Sequence, residues 1–241
     1  MTGVQTCALP ICTGLQLAGG TLNVTNLLTV LPGATLTGGA SANTSIASAN
    51  VQGTVNPNNT AMNISTLNLL VGGVLKGNGT INGTVNNNGG SVSPGNSPGV
   101  LTISGNYVQG PTGTLNIEIG GLAVPGTNYD RVNVLGNTTL NGTLAVQQFN
   151  SFVPSPGNGV SFITTGGSST GQFTTILLPP AFAGMSVVYG SRFTDLLLPL
   201  NQPPAGSQSQ LIASTQPILI YEERDIFTEE EKKDIFNYIC K

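Results

Sequence analysis

The sequence predicts an all-β chain, folded as a parallel β-solenoid. Three observations lead there. Short β-prone runs recur along the chain, "PG", "GG", "NG" and "GN" pairs separate them, and charged residues are scarce. Only 7% of the 241 residues are charged while 39% are hydrophobic, which excludes a charge-rich disordered chain. The small net charge of −3 and the lack of a basic patch argue against a nucleic-acid partner. No apolar run is long enough to predict a membrane-spanning helix.

Met1–Cys12 reads unlike the remainder and holds Cys7 and Cys12, two of the three cysteines. It carries no Lys or Arg and only a short apolar run, so it lacks the parts of a secretory signal. A C-x4-C pair without histidine is a weak metal signal. "MTGVQTCALPI" (1–11) resembles the in-frame translation of a short-read sequencing adapter, with a GTG codon read as Met and Cys12 at the junction. Residues 1–12 are therefore expected to be foreign to the natural fold. A native signal peptide is expected to be missing, and the two cysteines to carry no information about redox compartment.

Residues 13–200 are the predicted solenoid. "TLNV" (21–24), "LLTVL" (27–31), "TLNLLV" (66–71), "VLTIS" (100–104), "TLNIEI" (114–119), "RVNVL" (131–135) and "VSFIT" (160–164) read as strands. Period-two alternation places Leu115, Ile117 and Ile119 on one face, and helical spacing is absent. "GNGTINGTV" (77–85) returns as "GNTTLNGTL" (136–144), an offset that suits three coils of about 20 residues. "GTLNV" (20–24) returns as "GTLNI" (113–117), and "QGTV" (52–55) as "NGTV" (82–85). The last offset does not fit that period, so coils of unequal length are expected. Small aliphatic residues should fill the interior. Asn, Thr and Ser should stack at corners and on outer faces, where Asn tolerates left-handed backbone and its amide can bond copies of itself. An antiparallel β-sandwich is the alternative.

"NSPGVLTISGNYVQGPTGTLNIEIGG" (96–121), "YDRVNVLGNTTLNGTLAV" (129–146) and "FVPSPGNGVSFITTGGSSTGQFTTILLP" (152–179) follow in that order. The stretch Asn96–Leu198 resembles the C-terminal part of bacterial autotransporter-like and filamentous-haemagglutinin-like surface proteins. Residues 13–95 match in style only. The resemblance implies a right-handed parallel β-helix, secreted and displayed at the cell surface. It speaks to a scaffold and much less to a ligand.

The catalytic signals are few. "GNSPG" (95–99) fits G-x-S-x-G around Ser97, but a nucleophile elbow needs a following helix and a histidine base, and the chain has no histidine. "GNGTIN" (77–82) and "GGSSTG" (166–171) imitate phosphate loops without the helix or lysine such loops need, so both read as corners. Residues 13–219 hold six charged side chains: Lys76, Glu118, Asp130, Arg131, Arg192 and Asp195. Glu118, Asp130 and Arg131 are close in sequence. They suggest either a minimal acid–base site or, in the favoured reading, an ion pair between Glu118 and Arg131 on one outer face of neighbouring strands. No calcium-binding G-G-x-G-x-D run occurs. The sequons at Asn23, Asn78, Asn82, Asn137 and Asn141 are chance matches in an Asn- and Thr-rich chain.

Residues 201–220, with Pro203, Pro204 and Gly206, read as a linker. Residues 221–241 read as a helical tail, foreign or truncated. Thr228 and Glu231 form a capping box, Glu229 and Lys233 an i,i+4 pair, and Ile235, Phe236, Ile239 and Cys240 one apolar side. The functional expectation is a non-catalytic spacer or adhesive segment of a secreted bacterial surface protein. It would need no cofactor or metal and would contact glycans or host surface proteins. The alternative is a carbohydrate-active β-helix whose catalytic part is missing.

Overall fold

Alternating apolar and polar residues, interrupted by Gly and Asn, become stacked rungs. The computed structural model describes residues 3–5 and 9–200. The expected linker and helical tail, with Cys240, lie outside the described residues. The fold is the all-β parallel solenoid that the sequence predicts. Gly20–Val30, Ala42–Val51, Thr60–Leu69 and Gly79–Asn87 lie parallel in succession and build one long sheet. The shorter strands between them build a second sheet. It runs from Gly14–Gln16 through Thr35–Thr37, Thr54–Asn56, Val74–Gly77, Ser91–Pro94, Thr114–Ile119 and Thr143–Gln148 to Thr175–Leu177.

Each long strand serves two faces. The pairing shifts register between Val24 and Leu27 and again between Asn82 and Thr84, where the strand bends. After Asn87 the long strand divides in two. Val100–Ile103 pairs with the first half of Gly79–Asn87 and Tyr107–Gln109 with the second half.

Stacked inward residues supply the core. On the short sheet the row runs Leu15, Leu36, Val55, Leu75, Val92, Leu115, Leu144. From Leu36 to Leu144 every member is fully buried, and each contributes roughly 1.5–3 kcal/mol by leaving water. The interval between partners runs from 17 residues (Leu75 to Val92) to 23 (Val92 to Leu115). It then lengthens to 29 (Leu115 to Leu144) and 32 (Leu144 to Ile176). The coils are of unequal length, as expected, although the offset between "QGTV" and "NGTV" does not measure a coil, since the first lies in the short sheet and the second in the long one.

The three-coil reading of the longer repeat is corrected. Val85 stacks on Tyr107 and Tyr107 on Thr138, so "GNGTINGTV" and "GNTTLNGTL" are out of rung register. "GTLNV" lies in the long sheet and "GTLNI" in the short one. The repeat belongs to the strand, because any face of the solenoid wants the same out–in–out pattern.

An all-aliphatic interior is also corrected. One inward row begins Val30, Val51, Leu69 and continues with Asn87 and Gln109, all fully buried or nearly so. Gln109 Nε2 donates to the carbonyls of Gly113, Asn141 and Thr143, and Tyr107 Oη donates to Gln109 Oε1 at 2.6 Å. Asn87 Nδ2 donates to Thr114 O, and Thr138 and Thr165 share a buried hydroxyl bond. Gln109 and Tyr107 are satisfied in this way and tie the short sheet to the long one, whereas the buried Oδ1 of Asn87 has no hydrogen-bond partner among the described residues.

The solenoid begins earlier than Thr13. Gly3–Gln5 pairs with Leu22–Val24, and Leu9–Ile11 with Leu28–Val30, with Ile11 buried and Cys12 exposed. A sheet edge accepts any β-prone backbone, so this pairing is silent about the segment's origin.

At the other end the pairing reverses. Phe193–Leu197 lies antiparallel between Gly159–Thr165 and Ser186–Tyr189. Phe162 packs on Phe173, Phe173 on Tyr189, and Phe152 edge-on against Phe182. Among the described residues antiparallel strand pairing is therefore confined to this closing piece, apart from the isolated bridges Gly77–Gly95 and Ile119–Tyr129. Among the described residues the helical element is one turn, Pro180–Phe182, and no helix is long and apolar enough to cross a membrane.

Candidate functional site: a polar cleft on the short sheet

Outward positions on adjacent rungs of the short sheet meet where the chain is richest in chemistry. Lys76 lies opposite Ser93, and Asn116 Nδ2 donates to Ser93 Oγ at 2.9 Å. Two residues along the strand, Glu118 lies opposite Gln147. The turn Gly95–Gly99 rises beside these rungs, with Ser97 in left-handed backbone at φ +79°. Ser97 Oγ donates to Glu118 Oε2 at 2.6 Å. Together with Asn96 and Asp130 these side chains border a half-open cavity of about 240 Å³.

Asp130 is the structural pivot. It is 2% exposed, and its carboxylate accepts the N–H of Gly99 at 2.6 Å and of Glu118 at 2.8 Å. Its own N–H donates to Glu118 O. One side chain thus ties the turn before Val100, the strand Thr114–Ile119 and the loop that returns from it. Burial pushes the Asp130 carboxyl up to about 7, outweighing the two N–H donors that favour its charged form, and the nearby Glu118 carboxylate pushes the same way.

The expected Glu118–Arg131 pair is corrected. Glu118 belongs to the short sheet and Arg131 to the long one, opposite Val100, so their strands are not neighbours. The Arg131 side chain is taken up elsewhere. Nε donates to Ser161 O, Nη2 donates to Tyr129 Oη, and the guanidinium lies 5.4 Å from the Tyr129 ring centre. Adjacency in sequence misled here because a β-strand sends neighbours to opposite sides and the chain turns a corner between Glu118 and Arg131.

Ser97, Glu118 and Asp130, all singled out in the sequence, do come together. Asn116 joins them from Glu118's own strand, Gln147 from the next rung and Lys76 from two rungs before, and only the rung register could have found Lys76 and Gln147. "GNSPG" is a turn leading into Val100–Ile103, a strand where an elbow needs a helix. "GNGTIN" and "GGSSTG" both run into strands, Gly79–Asn87 and Ser169–Gly171. Asn78, Asn137 and Asn141 spend their side-chain oxygens on the backbone N–H of Val100, Ser168 and Gly142. Among the described residues no group of three or more His, Cys, Asp or Glu side chains could hold a metal ion. No protein-family model matches the chain, and no curated protein matches it.

Proposed function

We propose that the chain is a non-catalytic segment of a secreted bacterial surface protein, a stiff spacer that also makes multivalent contacts with glycans or host surface proteins. One observation carries this reading: outward-facing asparagines form hydrogen-bonded ladders along the long sheet. Asn82 Nδ2 donates to Asn63 Oδ1 at 2.7 Å, and Asn63 Nδ2 to Asn43 Oδ1 at 3.5 Å. In a second ladder Asn86 donates to Asn68 at 2.9 Å and Asn68 to Asn50 at 3.0 Å. Every amide is held by its neighbours in one orientation, so the face offers a row of donors and acceptors at the spacing of the rungs. A single such contact with a hydroxyl is weak in water. A row of them gains by effective concentration, because the first contact holds the next group in place.

The test is binding of the chain to a panel of immobilised polysaccharides and glycoproteins. A variant with Asn43, Asn63 and Asn82 replaced by Ala should lose most of any binding, while its circular dichroism stays unchanged. Binding that ignores the ladder contradicts the reading. A second reading, a carbohydrate-active β-helix, is favoured by one observation. Three of the six charged side chains of residues 13–219 (Lys76, Glu118 and Asp130) meet at one cleft. Its weakness is equally specific: Asp130 spends both oxygens on backbone N–H groups, which leaves Glu118 as the one carboxyl group of the cleft open to substrate, where glycoside hydrolysis uses two.

A further inference from the structure

We propose that the cleft beside the Gly95–Gly99 turn is a binding subsite for a single sugar residue. The inference rests on the adhesive half of the reading above and names a discrete place for it, separate from the asparagine ladders. The lining alternates donors and acceptors. Lys76 brings an ammonium, Asn96, Asn116 and Gln147 bring carboxamides, and Glu118 brings a carboxylate whose Oε2 is engaged by Ser97. A sugar hydroxyl donates and accepts at once, so it suits a wall on which both kinds of group stand side by side.

The same lining disfavours other ligands. A divalent cation would face the Lys76 ammonium and would find both Asp130 oxygens already committed. An anion would face Glu118, with only Lys76 to hold it. A cavity of about 240 Å³ has room for one pyranose ring. Asp130 acts at one remove. By holding the N–H groups of Gly99 and Glu118 it fixes the turn and the carboxylate relative to each other, which lowers the ordering cost of binding. No aromatic ring lines the cleft, so stacking cannot add to affinity and dissociation constants of roughly millimolar size are expected.

The experiment titrates the 15N-labelled full chain with the methyl glycosides of glucose, galactose and mannose and with N-acetylglucosamine. Amide signals of Ser97, Asn116 and Glu118 should shift saturably with at least one of the four. Lys76→Met and Glu118→Gln should each weaken that binding about tenfold or more, at an unchanged melting temperature. Lys76 is exposed, so its replacement keeps the test meaningful even where Glu118→Gln disturbs the turn. Cleft amides that do not respond to any of the four sugars would overturn the proposal, as would binding indifferent to both variants. Shifts confined to Asn43, Asn63 and Asn82 would overturn the cleft and leave the adhesive reading standing. Shifts nowhere, together with no binding to the polysaccharide panel, would overturn both.

Discussion

Asp130 carries a carboxylate inside the protein without a cation to balance it. Its oxygens satisfy two backbone N–H groups, yet burial wins and the group binds its proton more tightly than in the unfolded chain. A folded pKa near 7 against an ordinary 3.8 means that folding takes up a proton between these values. Stability from this group is therefore full below about pH 4 and is lost as pH rises through 7. Thermal unfolding should show a decline of about 2–4 kcal/mol between pH 4 and pH 8. Asp130→Asn should flatten that slope, while lowering stability at acid pH because its amide nitrogen meets an N–H donor. A slope that Asp130→Asn leaves intact would assign the titration to another group. A second residue-scale case is Tyr107, whose phenol is pushed well above its ordinary range by burial and so remains a donor to Gln109. Tyr107→Phe should cost about 1–3 kcal/mol in urea unfolding by leaving Gln109 Oε1 unpaired. Neither role was legible in the sequence. Alternation identifies inward positions, but a polar residue at one is read as a turn until its partners are known, and the partners of Gln109 come from residues 113 to 143.

Strands were legible where alternation was clean. "TLNIEI" is the strand Thr114–Ile119, and its inward residues are the Leu115, Ile117 and Ile119 that the pattern picked out. The rung assignment was not legible, since faces of a solenoid share one local pattern and a repeat between them carries no register. Register comes instead from turns that admit only glycine. At Gly142 the backbone is left-handed, φ +65°, and an added Cβ would lie 2.4 Å from Gly113 O and 2.6 Å from Gly110 O. Neither carbonyl can give way without moving a rung. Gly142→Ala should therefore destabilise by about 2–4 kcal/mol, measured by chemical denaturation. A change below about 0.5 kcal/mol would mean that this corner is loose and does not set the stacking.

For the whole molecule, stability should be close to a sum over neighbouring coils, with ends that need covering. The C-terminal end is covered by the antiparallel strands and the aromatic cluster. That cap had a trace in the sequence, because six of the eight phenylalanines fall between Phe149 and Phe193. The N-terminal end is covered by Gly3–Gln5 and Leu9–Ile11, from a stretch whose unusual sequence pointed to a foreign segment. Whatever its origin, removing residues 1–11 exposes the Gly20–Val30 edge and takes away the buried Ile11. Calorimetry of the shortened chain should find a loss of about 1–3 kcal/mol; no change would mean that this rung adds nothing. At this scale the sequence supported an expectation of function only, argued from the lack of histidine and the scarcity of charge. Among the described residues Lys76, Glu118 and Asp130 meet at one cleft; Glu118 and Asp130 were close enough in sequence to be grouped, but Lys76 comes from an earlier coil and only the stacking brings it in. The central claim, a surface that binds without turning over what it binds, is tested most directly by release of reducing ends from a polysaccharide panel, using the intact chain and Glu118→Gln. No release above background from either protein is the predicted result. Steady release by the intact chain, abolished by Glu118→Gln, would contradict it.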